Sequence, residues 1–394
     1  MRVLTRYILI ELLVVLMTTL ASLTLFVFLV LIGKEAVENG LGLGPIVRML
    51  PYMLPQAMQF AVPGALLLAT TSVYGRVAAN NEIVAIKALG ISPLRLIWPG
   101  LALGCLVSFA AVALNDLAVS WGREGVQQVV LDSLEEIAYG RLRTVRSFKT
   151  AHLQVNVRGV EGNRLIQPII QFTSGDGGPP DVITADEGVL AASSERNAVA
   201  VTLHNADGDV SGWNVVHPGE FKRWFSLEEF TGRSSSTKSP SSYALREIGP
   251  AKQAQALLLE HQQQKMAADA GYALLLGRME ELSAAAWRPR EHQLANARRT
   301  QYRLYTEPHR RWTNGFSCLG FAMIGAPMAV LLRRGEFWGS FFACFLPILL
   351  GYYPMLVGCV DRAKDGAFPP HAVWLGNLVL AGVGLLLIRR VVRF

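Results

Sequence analysis

Six apolar stretches punctuate the chain, at about residues 8–32, 54–75, 96–118, 313–332, 338–359 and 371–388. Each approaches the ~20 residues that an α-helix needs to cross ~30 Å of hydrocarbon. The pattern predicts six transmembrane helices, three before and three after a long polar insert. Within the insert, residues 141–232 hold short alternating segments: RTVRSF, HLQVNVRG, RLIQPIIQF, AVAVTLHNA and FKRWFSLEEF. Turn-forming clusters such as SGDGGPP and NADGD separate them. Period-two alternation with such turns predicts an antiparallel, jelly-roll-like sheet, with Val199, Val201 and Leu203 on one buried face. A serine-rich linker follows at about 233–242. Beyond it lies an Ala-, Leu- and Gln-rich stretch of good helix formers. Pro289 interrupts that stretch, which predicts a helical pair, or one kinked long helix, running into the fourth span.

The expected architecture is therefore a polytopic α-helical membrane protein with six transmembrane helices, an inserted periplasmic β-jelly-roll-like domain and an additional helical segment. The boundaries fall at 1–119 for the first three spans, 120–249 for the β domain, 250–312 for the helical segment and 313–394 for the last three spans. The first span is too long for a signal-peptide apolar region, and no small-residue cleavage site follows it before Lys34.

The segment NNEIVAIKALGISPLR, Asn80 to Arg95, lies between the second and third spans. It is too long for a minimal turn. Helical spacing puts Ile83, Ile86 and Ala88 near one face and Glu82 and Lys87 near another, and Gly90 and Pro93 stop the pattern. A small helix over 80–92 with a charged face toward the cytoplasm is expected to be a docking element. Glu82, in its first turn, is favoured by the helix dipole; it reads equally as a cap-region charge or as a contact to a basic site on a partner.

Charge and cysteine content sharpen the picture. Charged residues are 17% of the chain, below the ~25% usual for soluble proteins, and they concentrate in the insert. Under the positive-inside rule, one side holds Arg2, Arg6, Arg76, Lys87, Arg95, Arg333, Arg334, Arg389, Arg390 and Arg393. The short loops of the other side hold Lys34, Arg48, Arg362 and Lys364. Both termini are thus expected in the cytoplasm and the insert outside it. The net charge of +7 is mostly this topology signal, and nucleic acid is not an expected partner. The four cysteines, Cys105, Cys318, Cys344 and Cys359, all lie in or beside spans, so no disulfide framework is expected in the insert.

Catalytic chemistry is not legible. There is no G-x-x-x-x-G-K-[ST], no H-E-x-x-H and no G-x-S-x-G, and the seven histidines show no metal-ligand spacing. The expectation is no catalytic residue, no metal site and no cofactor of the chain's own. Glu11, in the first turns of the first span, is a rare intramembrane carboxylate, or it reaches the interface. Lys34 and Arg48, at the outer ends of the first two spans, are candidate contacts for an anionic lipid headgroup, or interfacial anchors. Glu307, His309 and Arg311, with Arg310 and Trp312, precede the fourth span as a candidate membrane-interface motif. Few other polar groups sit within the spans, which argues against ion coupling and fits an amphipathic cargo.

These residues resemble a family. VPGALLLATTSVYGRVAANNEIVAIKALGISPLRLIWPGLALG looks like the second span, coupling helix and third span of the lipopolysaccharide-export permeases, the LptF/LptG family. The match falls on Pro63, Ala65, Leu67, Gly75, Arg76, Glu82, Ala85, Lys87, Ala88, Gly90, Ile91 and Ser92. TEPHRRWTNGFSCLGFAMIGAPMAVLLRRG resembles the family's entry to the fourth span, through Glu307, His309, Arg311, Gly325 and Pro327. RYILIELL resembles its N-terminus, and ITADEGVLAASSERNAVAVTLHNADGD its periplasmic strand pair. The chain departs from the pattern at the outer end of the third span, where it reads LNDLAVSWGREG, and in a longer helical stretch over 250–300.

The resemblance implies an ATP-driven exporter in which this chain is a permease without an ATPase site. ATP would be bound by a cytoplasmic P-loop ATPase dimer docked on Arg76, Glu82, Ala85, Lys87 and Gly90. It also implies a second permease of the same family, a periplasmic bridge protein of similar β fold, and a membrane glycolipid as cargo, with Lys34 near lipid phosphates. Lifting an acyl chain from a bilayer costs about 0.8 kcal/mol per CH₂, so a glycolipid exporter needs an external energy source. The alternatives are an exporter of another lipid or lipoprotein and a non-transporting scaffold for envelope assembly.

Overall fold

The computed structural model describes residues 2–39, 43–132, 134–149, 153–172, 181–193, 198–210, 213–226, 239–332 and 337–393. The Gly/Pro-rich turn at 174–180, most of the linker at 233–242, and Arg333 and Arg334 lie outside these residues. The chain forms two compact units. One comprises residues 1–28, 54–122 and 239–394; the other comprises 29–53 and 123–238.

Six helices among the described residues are long and apolar enough to cross a membrane: Val3–Lys34, Gly44–Ala79, Leu94–Val126, Trp287–Leu332, Gly339–Lys364 and Pro370–Arg393. They match the six apolar stretches. Helix α1 (Arg2–Asn39) sets Ile8, Leu12 and Leu16, spaced four apart, into a core with Ala65, Leu66 and Ala69 of α2 (Leu43–Ala79). The short α3 (Glu82–Ala88) follows, then α4 (Leu94–Leu117), which continues as a π-helical turn, Ala118–Arg123.

After the insert come α7 (Leu245–Leu275) and α8 (Ala284–Leu332). At 49 residues, α8 is about 74 Å long, more than twice a hydrocarbon core. Then follow α9 (Phe337–Pro347), a π turn (Ile348–Tyr352), α10 (Tyr353–Lys364) and α11 (Leu375–Arg393).

Because lipid tails are as apolar as leucine, spans associate through close packing of small residues and through hydrogen bonds. The α4–α8 contact shows both. A Cβ on Gly104 would lie 2.8 Å from the Cβ of Ala322. The Ser108 hydroxyl donates to Gly104 O at 2.8 Å and accepts from the Leu319 N–H at 3.0 Å.

The helical stretch after the linker is a pair, broken at a place other than the proline. Gly277, at φ +71, ends α7 with a Schellman pattern: its N–H reaches Leu274 O, and Arg278 N–H reaches Ala273 O. Pro289 is the sixth residue of α8 and the helix continues through it, at the loss of one intrahelical N–H bond in its second turn. Gln255 Nε2 donates to Ala297 O at 2.9 Å across the pair. Lys252 places its ammonium 4.7 Å over the Tyr305 ring, and desolvation lowers its pKa below the ordinary lysine range.

The second unit holds α5 (Glu124–Asp132), α6 (Leu134–Val145) and nine antiparallel strands. These are β1 (Ser147–Lys149), β2 (Leu153–Asn156), β3 (Gly159–Glu161), β4 (Arg164–Ile166), β5 (Ile169–Phe172), β6 (Asp181–Thr184), β7 (Glu187–Ser193), β8 (Ala198–Val210) and β9 (Trp213–Ser226). The order is β1-β2-β5-β6-β8-β7-β4-β3, with β9 along the other edge of β8. Strand β8 pairs with β7 over its first part and with β6 over its end, so the sheet curls. Helix α6 packs Ala138, Tyr139 and Leu142 into the same core as Val155, Leu165, Ile170, Leu190, Val201 and Leu203.

Three details differ from the sequence reading. Residues 143–145 finish α6 instead of starting a strand, because Leu142 is wholly buried in the sheet core. NADGD is no turn: it continues β8, and Asn205 takes a left-handed conformation (φ 53) at a bulge opposite Pro218 and Gly219. Val201 and Leu203 are buried as expected, and Ala200, on the opposite face of the strand, is buried as well; the side chain of Val199 lies outside the described residues.

Candidate functional site

Two constellations stand out in the membrane unit, at opposite ends of α4. The first surrounds α3. Asn80 and Asn81 reverse the chain after α2. Asn81 does so in the left-handed region (φ 57), which asparagine tolerates better than most residues. Gly90, at φ +73, closes α3: Ile91 N–H bonds Ile86 O and Gly90 N–H bonds Lys87 O, a Schellman stop. The helix therefore begins and ends where Asn81 and Gly90 place it.

Its faces differ from the expectation of a charged outer surface. Residues four apart share a helix face, so Lys87 lies with Ile83, not with Glu82. Ile83 is buried and Lys87 Nζ bonds Val391 O of α11 at 3.5 Å. Ala88, expected on the inner face, is exposed with Val84, Ala85 and Leu89. The outer surface of α3 is thus small and apolar. Glu82 stands half-buried at its start, where the Asn80 amide donates to Glu82 Oε1 at 3.4 Å. Arg76, one turn before the end of α2, pairs with Glu11 of α1. A groove of about 400 Å³ lies beside α3, lined by Leu4, Thr5, Ile91, Leu94, Arg95 and Trp98.

The spans on either side of α3 are locked together. The Tyr74 side chain is wholly buried, and its hydroxyl is inserted into the first turns of α4. It donates to Leu96 O at 3.1 Å and accepts from Gly100 N–H at 3.1 Å, so one hydroxyl meets both groups that a helix pairs four residues apart. Pro99 has already removed one N–H from this turn. A side chain at Gly100 would meet the Tyr74 oxygen at 2.6 Å. Sequence reasoning missed Tyr74; the neighbouring Pro99-Gly100 pair is the signal that could have found it.

The second constellation lies where α4 leaves the bundle and α8 enters it. Arg311 is fully buried, the largest side chain to be so among the described residues. Its Nε donates to Glu307 Oε1 at 3.1 Å, its Nη1 to Asp116 Oδ1 at 3.0 Å, and its Nη2 to Tyr243 O at 2.6 Å and Ser241 O at 3.4 Å. Asp116 Oδ1 also accepts from Leu245 N–H at 2.8 Å. Glu307 is itself buried and accepts from Arg310 at 3.0 Å through Nε. One planar guanidinium, with five donors in a fixed fork, thus ties α4, α8 and the 241–245 segment together. Asp116 comes from LNDLAVSWGREG, where the chain departs from the family pattern.

His309 turns elsewhere and accepts from Trp374 Nε1 at 3.4 Å. Trp312 stacks on Phe316 with ring centroids 5.9 Å apart. Lys34 and Arg48 are exposed on α1 and α2. They belong to the other compact unit. No cluster of three or more His, Cys, Asp or Glu side chains with metal-ligand geometry occurs among the described residues.

A bundle of six membrane helices, a curled antiparallel insert and a short capped helix between two spans define a multi-pass membrane protein of the permease class. The chain matches, over residues 4–390, the family model described as lipopolysaccharide export system permease LptF/LptG, and it belongs to that family. The family is one of transport permeases of the inner membrane. Comparison with curated proteins returns no match.

Proposed function

We propose that this chain is a permease subunit of an ATP-driven exporter that extracts lipopolysaccharide, or a related glycolipid, from the inner membrane and passes it to a periplasmic bridge of similar β fold. In this reading a P-loop ATPase dimer docks on the cytoplasmic side against α3, a second permease of the same family completes the membrane assembly, and the β insert lies in the periplasm. The observation that carries the proposal is the α2–α3–α4 arrangement. A capped helix presents Glu82 and a small apolar surface, and Tyr74 joins the helices on either side. A push on α3 is then delivered to two spans as one body. Arg76, Ala85, Lys87 and Gly90 support this element: Ala85 lies on its outer surface, and the other three hold its ends and inner face.

The groove at the turn between α3 and α4, with Ile91, Leu94 and Trp98 in its lining, suits a soluble partner. Lys34 and Arg48 are exposed and suit anionic headgroups.

The test is Glu82→Arg in the complete exporter, reconstituted with its ATPase. We expect normal expression, loss of ATPase co-purification and transport reduced to background. Normal transport by this variant would remove the coupling role of α3. A scaffold without transport activity would show no dependence on Glu82 at all.

A further inference from the structure

A cleft of about 610 Å³ opens on the outer face of the β insert, within the second compact unit. That volume falls within the ~300–1,000 Å³ usual for small-molecule sites. Its floor is one cross-strand row: Asn156, Ile169, Thr184 and Asp207 stand directly opposite one another on β2, β5, β6 and β8. Their neighbours Val155, Ile170 and Ile183 belong to the sheet core, so the row faces away from it. The rim is formed by Arg158, Gln167, Asp186 and Asn205, where the chain crosses toward the β3-β4-β7 part of the sheet.

The backbone takes uncommon shapes at this rim. Gln167 (φ 48) and Asn205 (φ 53) lie in the left-handed region, and the carbonyl of Arg146 (φ 56) accepts from the N–H of Val157, in the cleft wall, at 3.0 Å. Three of the four non-glycine residues of this kind among the described residues thus collect at one cleft. Such conformations persist where the surroundings over-determine them, and they gather at ligand sites. The rim is braced by its own hydrogen bonds. Asn205 Nδ2 donates to Asp186 Oδ2 at 3.1 Å, Gly219 N–H to Asn205 Oδ1 at 3.3 Å, and Arg158 Nη1 to Gln167 Oε1 at 3.1 Å. Among the described residues, nothing takes Asp186 Oδ1, the Asp207 carboxylate, the Gln167 amide protons or the remaining Arg158 donors. Free acceptors and free donors therefore line the same cleft, around an Ile169 that is 40% exposed.

This lining discriminates among occupants. Two carboxylates against one guanidinium disfavour an anion. No group of three His, Cys, Asp or Glu side chains that could hold a metal occurs among the described residues. An extended peptide cannot add to the sheet here, because β2, β5, β6 and β8 each have strands on both sides. We infer that the cleft binds a neutral saccharide. Adjacent sugar hydroxyls donate and accept at once, which matches carboxylate oxygens beside amide and guanidinium N–H groups. The C–H face of a sugar ring matches Ile169. Two sources carry this chemistry, the sugar chain of a membrane glycolipid and a free soluble glucan. The inference does not depend on the export reading, since the cleft lies on the β insert and outside its core.

The experiment is calorimetric titration of the full chain in phosphatidylcholine nanodiscs, with a chelator present. The titrants are the lipid-free, dephosphorylated core oligosaccharide of lipopolysaccharide and a neutral linear glucan, laminaritetraose. We expect saturable binding of at least one. Asp207→Ala and Arg158→Ala should each weaken it about tenfold, the worth of a hydrogen bond to a charged group. Glu161→Ala, exposed on β3 and outside the cleft lining, should leave it unchanged. Binding should persist at about 0.5 M salt, which screens exposed charges. If one cleft variant does not fold, the other carries the test. Binding of the core oligosaccharide alone assigns the glycolipid as the source, and binding of laminaritetraose alone assigns a free glucan. No saturable binding of either sugar, equal binding in both cleft variants, or binding abolished by salt overturns the inference and leaves the export reading standing.

Discussion

Arg311 shows how much one side chain can organise. A buried guanidinium is tolerated only when its donors are met and its charge is balanced, and here two carboxylates and two backbone carbonyls do both. Removing it leaves Asp116 without its cation. Arg311→Met should therefore lower stability by about 3–5 kcal/mol, read as a depressed midpoint of chemical unfolding in detergent. Arg311→Lys should recover only part, because an ammonium cannot reproduce the fork. An unchanged midpoint in Arg311→Met would mean that the network contributes nothing net. Tyr74 is the second residue of this kind. Tyr74→Phe leaves the Gly100 N–H and Leu96 O to find each other across a turn distorted by Pro99, at a cost of about 1–3 kcal/mol. Gly100→Ala should cost at least as much, through overlap with the Tyr74 oxygen. If either variant unfolds like wild type, the hydroxyl is a passenger.

Among elements, α3 is the most informative. A helix within 80–92 was legible because Gly90 and Pro93 are local signals that act through backbone conformation, but it is shorter, Glu82–Ala88, because Asn81 turns in the left-handed region. Its faces were misread because the choice of which seven residues face inward depends on α11, three hundred residues away, whose Val391 carbonyl captures Lys87. Gly90→Val places a branched side chain at φ +73 and should lower the local stability of the α3 stop by about 1 kcal/mol or more. Hydrogen exchange at residues 82–91 would report it as faster exchange confined to this element. Wild-type protection there would show that the stop needs no glycine. The α7–α8 pair teaches the complementary lesson. Pro289 is the louder breaker in the sequence, yet Gly277, in the left-handed region, ends the helix, and the next helix runs through Pro289.

For the molecule as a whole, the proposed orientation makes a direct prediction. With the native cysteines replaced, Glu82→Cys should react with a membrane-impermeant maleimide only after the cytoplasmic side is opened. Arg158→Cys, exposed beside β3, should react from the periplasmic side in spheroplasts. Labelling of both from one side would reverse or dissolve the assigned topology. The same scale explains how the polar spans of this chain work. Among the intramembrane polar groups, the Ser108 hydroxyl joins α4 to α8 at the Leu319 N–H, and the Tyr352 hydroxyl joins the π turn to α11 at Asn377.

What the sequence by itself determined is set by short-range and bulk physics. Six runs of apolar residues are long enough to cross lipid, and there a helix is what satisfies their backbone groups within the segment. Alternating segments of the insert must form a sheet with one buried face, and Gly90 and Pro93 must end a helix between two spans. Tertiary structure alone decided the rest. It turned Lys87 inward, put the Tyr74 hydroxyl into α4, and buried Arg311 between Asp116 and Glu307, where the sequence suggested an interfacial motif. The reason is that each of these depends on which groups from distant parts of the chain lie within hydrogen-bonding distance, and in a medium without water every such pairing, or its absence, carries a large energy.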